Sequence, residues 1–253
     1  KAEKEYAKHR KQNQPCFHMK FVGKPGTGKN TVGRILGRIL KEEGILEKGD
    51  FYEINARQLC GRYVGETAPR TMAVCRDVYG SILFIDEAYT LFEDESNVND
   101  FGKEALITLM TEMENHRHEM IVILAGYRNQ INYMLKANPG IKDRIPYTIE
   151  FPDYTREELC GIFLKDVGRL FLYDEGFAGR AKAFFDNIAE ECYIKNDFGN
   201  ARLVRNLYER VVGKAMLRRR FSGDSQWRVT EDDFEAAASE PYFQSYLVQY
   251  RGK

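Results

Sequence analysis

The chain has 253 residues, 43% of them apolar, enough for one large or two modest domains with a buried core. Lysine plus arginine equals aspartate plus glutamate at 38 each, so no global charge draws it to nucleic acid or to an anionic membrane. Five cysteines, odd in number and never in a C-x-x-C pair, argue against a disulfide framework or zinc site and for reduced thiols in a cytoplasmic protein. With no long apolar span and no signal-peptide pattern, a soluble protein is expected.

The chain opens on Lys1 rather than Met, so it reads as a piece of a longer protein. Residues 1–14 are charged and poor in aliphatic side chains, an exposed helical arm or linker that stops at Pro15. The apolar run Met19–Val22 then leads into GKPGTGKNT, Gly23 to Thr31, and on into TVGRILGRILKEEG, where Val32, Ile35, Leu36, Ile39 and Leu40 recur at helical spacing. Strand, glycine turn and helix follow one another. Gly23, Gly28 and Lys29 complete the frame G-x-x-x-x-G-K, with Pro25, Gly26 and Thr27 inside it. Such a loop points successive backbone N–H groups at phosphate oxygens, the helix adds its positive N-terminal dipole, and Lys29 reaches the outer phosphates. Asn30 stands where the pattern carries a Ser or Thr hydroxyl for Mg²⁺. Thr31 cannot stand in, because one helical step turns a side chain by roughly 100°.

Four more apolar runs follow, FYEI at 51, SILFID at 81, MIVILAGY at 120 and YTIEF at 147, with amphipathic stretches between them, notably Ala68 to Tyr79 and Phe101 to His116. That alternation predicts an α/β domain, a parallel sheet covered by helices on both faces. After FPDYTREEL at 151, residues 155–220 show only helical spacing. WRVTEDDFEAAA at 227 predicts a short strand and then a helix with Thr230 as N-cap and Asp233 at the capping-box position. The boundary is drawn near Pro152, giving an α/β domain over 15–152, a helical domain over 153–240 and a tail over 241–253.

SILFIDEAY places Asp86 and Glu87 at the end of an apolar strand. Adjacent carboxylates are costly there unless a cation or polar group meets them. Behind a P-loop, the first carboxylate, Asp86, helps hold Mg²⁺ together with position 30, and the second, Glu87, orients the attacking water as general base. Two other patterns are set aside. DFG at 100–102 lacks a preceding H-R-D loop and opens a helix, and KAMLRRR, 214–220, reads as the solvated end of a helix.

Beyond these motifs, LCGRYVGETAPRT (59–71), FIDEAYTL (84–91), ILAGYRNQINYML (123–135), NPGIKDRIPYTIEFPDY (138–154) and GNARLVRN (199–206) occur in order. With them the chain resembles the AAA+ ATPases, in particular the group containing the red-type Rubisco activase CbbX and the stage V sporulation protein K, over residues 15 to about 240. The resemblance implies that the helical domain is a lid, that ATP or ADP binds with Mg²⁺, and that the protein assembles into a ring, most simply a hexamer. It also implies that Tyr63, Val64 and Gly65 match a pore loop gripping a client polypeptide by apolar contact. Arg144 matches the arginine finger that reaches a neighbouring subunit's γ-phosphate, with Arg128 and Lys142 as weaker candidates. Arg202 matches the lid arginine called sensor 2, with Arg205 second, and Tyr127 occupies the sensor 1 place where many relatives carry Asn or Thr. The expected partners are the protein itself and a client protein, with no nucleic acid and no membrane. Asn30 keeps one alternative open, a nucleotide-gated subunit impaired in hydrolysis. A P-loop kinase or nucleic-acid motor fits less well, for want of a basic groove. Relatives carry a segment upstream of the first strand that helps contact adenine; only the charged arm stands there in this chain.

Overall fold

The structure is a computed structural model and describes residues 15–92, 101–222 and 227–248. The charged arm, Asp100 of the DFG string and the end of the tail lie outside the described residues. Two compact units emerge, the chain up to Gly23 with Gly28–Phe151, and Lys24–Thr27 with Pro152 onward.

The first unit is built on five parallel strands, β1 (Met19–Gly23), β2 (Phe51–Asn55), β3 (Ile82–Asp86), β4 (Ile121–Gly126) and β5 (Tyr147–Phe151), in the order β2-β3-β4-β1-β5. The central β3 and β4 read as unbroken apolar runs because both their faces are covered. Leu83, Ile85, Val122 and Leu124 enter the core on one face of the sheet. Ile82, Phe84, Ile123 and Ala125 enter the core on the other. Edge strands β2 and β5 are largely exposed, which is why their sequences mix polar with apolar residues. Helices α1 (Lys29–Glu42), α2 (Thr67–Val78), α3 (Phe101–Asn115), α4 (Arg128–Ala137) and α5 (Pro139–Arg144) complete the unit.

Helix α1 does not bury the stripe its apolar residues suggest. Val32, Ile35 and Ile39 are exposed, and the buried positions are Lys29, Gly33, Gly37 and Leu40. The cause is close approach. A Cβ on Gly33 would lie 2.4 Å from Phe51 Cε2, and one on Gly37 would lie 2.6 Å from the Gly49 carbonyl oxygen. The same reasoning explains the DFG glycine, since a Cβ on Gly102 would meet Leu91 O at 2.1 Å.

The second unit is helical, with α6 (Arg156–Gly168), α7 (Glu175–Asp186), α8 (Glu190–Ile194), α9 (Ala201–Ser222), α10 (Glu231–Ala238) and α11 (Pro241–Gln244). Phe163, Phe177, Phe185, Phe198 and Phe234 dominate its core. Thr230 caps α10 in a full capping box with Asp233. The strand predicted at 227 shrinks to one bridge between Leu172 and Arg228, the one pairing it makes among the described residues. The start of the predicted tail is likewise part of this unit, since Phe243 on α11 is buried in its core and Leu247 bridges Ile188. Part of the basic cluster is structural rather than solvated. Arg218 bonds the buried Asp233 through Nε at 3.0 Å and Nη2 at 2.9 Å, and Arg219 lies 4.5 Å over the Trp227 ring. No described helix is long and apolar enough to cross a membrane.

Candidate functional site

All five strands are parallel, so their carboxyl ends emerge on one edge of the sheet, where open α/β sheets bind ligands. The glycine-rich loop leaves β1 on that edge. Gly23 must lack a side chain, since a Cβ there would sit 2.4 Å from Phe151 O. Gly26 at φ 72° and Gly28 at φ 91° take left-handed backbone that other residues rarely adopt. Lys29 opens α1 with 8% exposure, and its Nζ donates to Gly23 O at 2.9 Å, folding the side chain back across the loop.

The tip, Lys24–Thr27, packs with the second unit. Thr27 Oγ1 donates to Lys24 O at 2.8 Å, and Lys24 Nζ pairs with Asp153 Oδ2 at 2.7 Å. Ala201 N donates to Gly26 O at 3.1 Å. Asn200, fully buried at φ 48°, donates from Nδ2 to Asp153 Oδ1 at 2.9 Å and to Pro25 O at 3.4 Å, and its Oδ1 accepts from Tyr154 N at 2.9 Å. Sequence reasoning passed over Asn200 for its neighbour Arg202. The only signal available was an Asn beside a Gly, a pair that tolerates left-handed backbone.

At the end of β3, Asp86 Oδ1 accepts the N–H of Glu87 at 3.0 Å. Glu87 is exposed and sits at φ 50°, a left-handed position that costs a glutamate about 1–2 kcal/mol and is tolerated where surrounding structure imposes it. Its Oε2 accepts from Asn55 Nδ2 at 3.4 Å. Asn55 closes β2 in register with Asp86. It too was missed, because only strand pairing brings it to the carboxylates.

Asn30 Nδ2 donates to Glu53 Oε1 at 2.5 Å, and Arg34 Nη2 donates to Glu53 Oε2 at 2.9 Å. Thr31, one step on, is exposed. An open groove of about 560 Å³ is lined by Arg34, Phe51, Glu53, Asn55 and Asp86 among others. Among the described residues no three His, Cys, Asp or Glu side chains converge on one point, so a cation here would complete its shell with phosphate oxygens and water. That is how Mg²⁺ is usually held, and the oxygens of Asp86 and Asn30 are hard donors that suit it.

Tyr63 and Val64 are 71% and 75% exposed, and Gly65 at φ 85° has open space where a Cβ would be. The base of this loop is fixed where Arg62 N and Tyr63 N donate to Glu66 Oε2 and Gly61 N donates to Thr67 Oγ1. Arg144 is folded onto its own unit. Its Nη1 donates to Gly140 O at 2.8 Å and its Nε lies 3.1 Å from Glu114 Oε2, close but misaligned for a hydrogen bond. Arg128 pairs with Glu150. In the second unit Arg202 is exposed on the first turn of α9, and Arg205 pairs loosely with Glu209 at 3.7 Å. Tyr127 packs against the α/β core with its ring 6.2 Å from that of Tyr89.

A family model described as the ATPase family associated with various cellular activities (AAA) matches residues 19–153, and one described as an AAA lid domain matches residues 155–242. The chain belongs to this family of ATPases and carries its lid. Among curated proteins it is similar to protein CfxQ of Xanthobacter flavus, 37% identical over 204 residues, 81% of this chain and 63% of that protein. The chloroplastic ribulose bisphosphate carboxylase/oxygenase activase of Cyanidioschyzon merolae is 35% identical over 241 residues, 94% of this chain and 79% of that one. Stage V sporulation protein K of Bacillus subtilis is 38% identical over 216 residues, 85% of this chain and 66% of that one. The chain thus spans 63% to 79% of the length of these three relatives.

Proposed function

We propose that this chain binds and hydrolyses ATP within a ring, most simply a hexamer, and uses the cycle to remodel a client protein. The observation that carries the reading is the common carboxyl edge where the loop after β1, Asn55 at the end of β2, and Asp86 and Glu87 at and just past the end of β3 all emerge. The backbone N–H groups of Gly23–Thr31 and the Lys29 ammonium bind the phosphates. Asp86 and Asn30 are the residues that would hold Mg²⁺, which when bound neutralises charge on the outer phosphates. Glu87 orients the attacking water and takes its proton, with Asn55 holding the carboxylate. Arg144, released from Glu114 and Gly140, stabilises charge at the site of an adjacent subunit, and Arg202 answers to the γ-phosphate from the lid. Tyr63 and Val64, exposed on a loop with a fixed base, grip the client.

The names of the relatives divide between activation of ribulose bisphosphate carboxylase/oxygenase and sporulation, so they single out no client for this chain beyond a protein. Asn30 in the hydroxyl position favours a second reading, a subunit that binds nucleotide and turns it over slowly or not at all. Mg²⁺-dependent ATP turnover across a protein concentration series, with nucleotide affinity measured in parallel, separates the two. Turnover that rises cooperatively and vanishes in Arg144→Ala is the expected result. Tight binding without turnover at any concentration favours the second reading, and turnover restored by Asn30→Thr would assign the loss to that side chain.

A further inference from the structure

Strand β2 turns one column of side chains toward α1. Residues 51, 53 and 55 share a face by the alternation of the pleat, and each has a partner there or at the carboxyl edge. Phe51 fills the space left by Gly33, Glu53 meets Asn30 and Arg34, and Asn55 reaches Glu87. On the helix, positions 30, 33, 34 and 37 form the matching stripe at i, i+3, i+4 and i+7. Glu53 is therefore held by two donors from one helix, with the Arg34 guanidinium also lying 4.6 Å over the Phe51 ring.

An ionised carboxylate only accepts hydrogen bonds, so the Asn30 amide must turn its N–H₂ to Glu53 and keep its oxygen for another partner. The carboxylate also polarises the amide, which strengthens that oxygen as a donor to a cation. Asp86, at the end of the strand beside β2, lines the same groove as Glu53. We infer that Glu53 is a positioning residue: it fixes Asn30 in the one amide orientation that can ligate Mg²⁺, with Arg34 fixing Glu53 in turn. The substitution at position 30 is thereby matched by a carboxylate on β2. This rests on the nucleotide-binding reading above.

The test uses the full chain and two measurements, affinity for a fluorescent ADP in EDTA, and Mn²⁺ binding to the ADP-saturated protein followed by electron paramagnetic resonance. Glu53→Ala should weaken Mn²⁺ binding by about tenfold or more, as loss of a group that orients a metal ligand does, while ADP affinity in EDTA holds within about twofold. Glu53→Gln, which can accept the Asn30 N–H₂ through a neutral oxygen but can also donate to the Asn30 oxygen in the flipped orientation, should fall between. In an Asn30→Ser background, where a hydroxyl reaches the metal without help, Glu53→Ala should have no effect on Mn²⁺. Unchanged or tighter Mn²⁺ binding in Glu53→Ala, or an equal loss in both backgrounds, would overturn the inference. Failure of the parent chain to bind ADP in EDTA would instead remove the nucleotide site, and the inference with it.

Discussion

His18 is a neutral imidazole by necessity. Just ahead of β1 and 1% exposed, it accepts the N–H of Val122 on Nδ1 at 3.0 Å and faces Met113 O from Nε2 at 3.3 Å. One nitrogen must be bare and the other protonated, and burial pushes its pKa down to about 4. The unfolded chain, with an ordinary histidine near 6.5, then binds more protons than the folded one at acidic pH. Stability is full above about pH 7 and falls as pH drops from about 6.5 towards 4, by about 2–3 kcal/mol from this residue. Urea unfolding at pH 7.5, 5.5 and 4.5 should show that slope, and His18→Asn, which keeps an acceptor for Val122, should start less stable and flatten it. An equal slope in the variant would assign the acid sensitivity elsewhere. Asn55 makes a second residue-scale prediction. Its 3.4 Å contact holds the orientation of the carboxylate proposed as general base, Glu87, so Asn55→Ala should lower ATP turnover about tenfold with nucleotide affinity nearly unchanged. Parallel loss of affinity would mean that Asn55 shapes the pocket rather than the base.

Helix α1 shows where the pattern of elements is readable and where it stops. Its existence, its start after Gly28 and its place after β1 follow from the glycine frame and the helical spacing. Its buried face does not, because spacing marks a stripe of large apolar residues, whereas close approach to Phe51 and to the Gly49 backbone places Gly33 and Gly37 on the buried side beside Leu40. The consequence is measurable. Gly→Ala in a helix interior gains about 1 kcal/mol of propensity, but overpacking typically costs 1–3 kcal/mol, and at Gly37 the obstacle is the backbone oxygen of Gly49. Gly37→Ala should therefore lower the thermal midpoint, whereas Gly213→Ala on α9, with nothing within 4 Å of the new methyl, should raise it. If both substitutions stabilise, the close contact of α1 is not as tight as described. The central strands β3 and β4 were legible for a plain reason: runs buried on both faces have to be apolar. Asn55, Glu53 and Asn200 were not, since strand register, a helix face and a left-handed turn give them their partners, and a linear sequence displays none of these. The bridge at Arg228 and the helix at Pro241 fell between, too short for periodicity to mark.

For the whole molecule, the proposed ring would divide each site between two subunits, so that one chain could not complete it alone. In that ring Arg144 would leave its own unit for a neighbour's phosphate, giving up a hydrogen bond to Gly140 O worth about 1 kcal/mol and a partly exposed, misaligned pair with Glu114 worth no more than about 1 kcal/mol. An arginine finger contributes far more than that to the rate, about 10³–10⁵-fold, so release to a neighbour is energetically open. If the site joins Glu87 of one subunit with Arg144 of the next, Glu87→Gln and Arg144→Ala are each inactive but carry complementary halves. Mixed in equal amounts in a ring that exchanges subunits, about one quarter of the junctions then combine an intact Glu87 with an intact Arg144. ATP turnover should reappear on mixing and scale with the product of the two fractions, peaking at equal amounts. Two inactive proteins that stay inactive together, under conditions where the wild type turns over and exchange is seen by fluorescence transfer, would place Arg144 in the service of its own subunit. A double variant carrying both changes, mixed with either single one, should recover nothing in that series, because no junction is then whole.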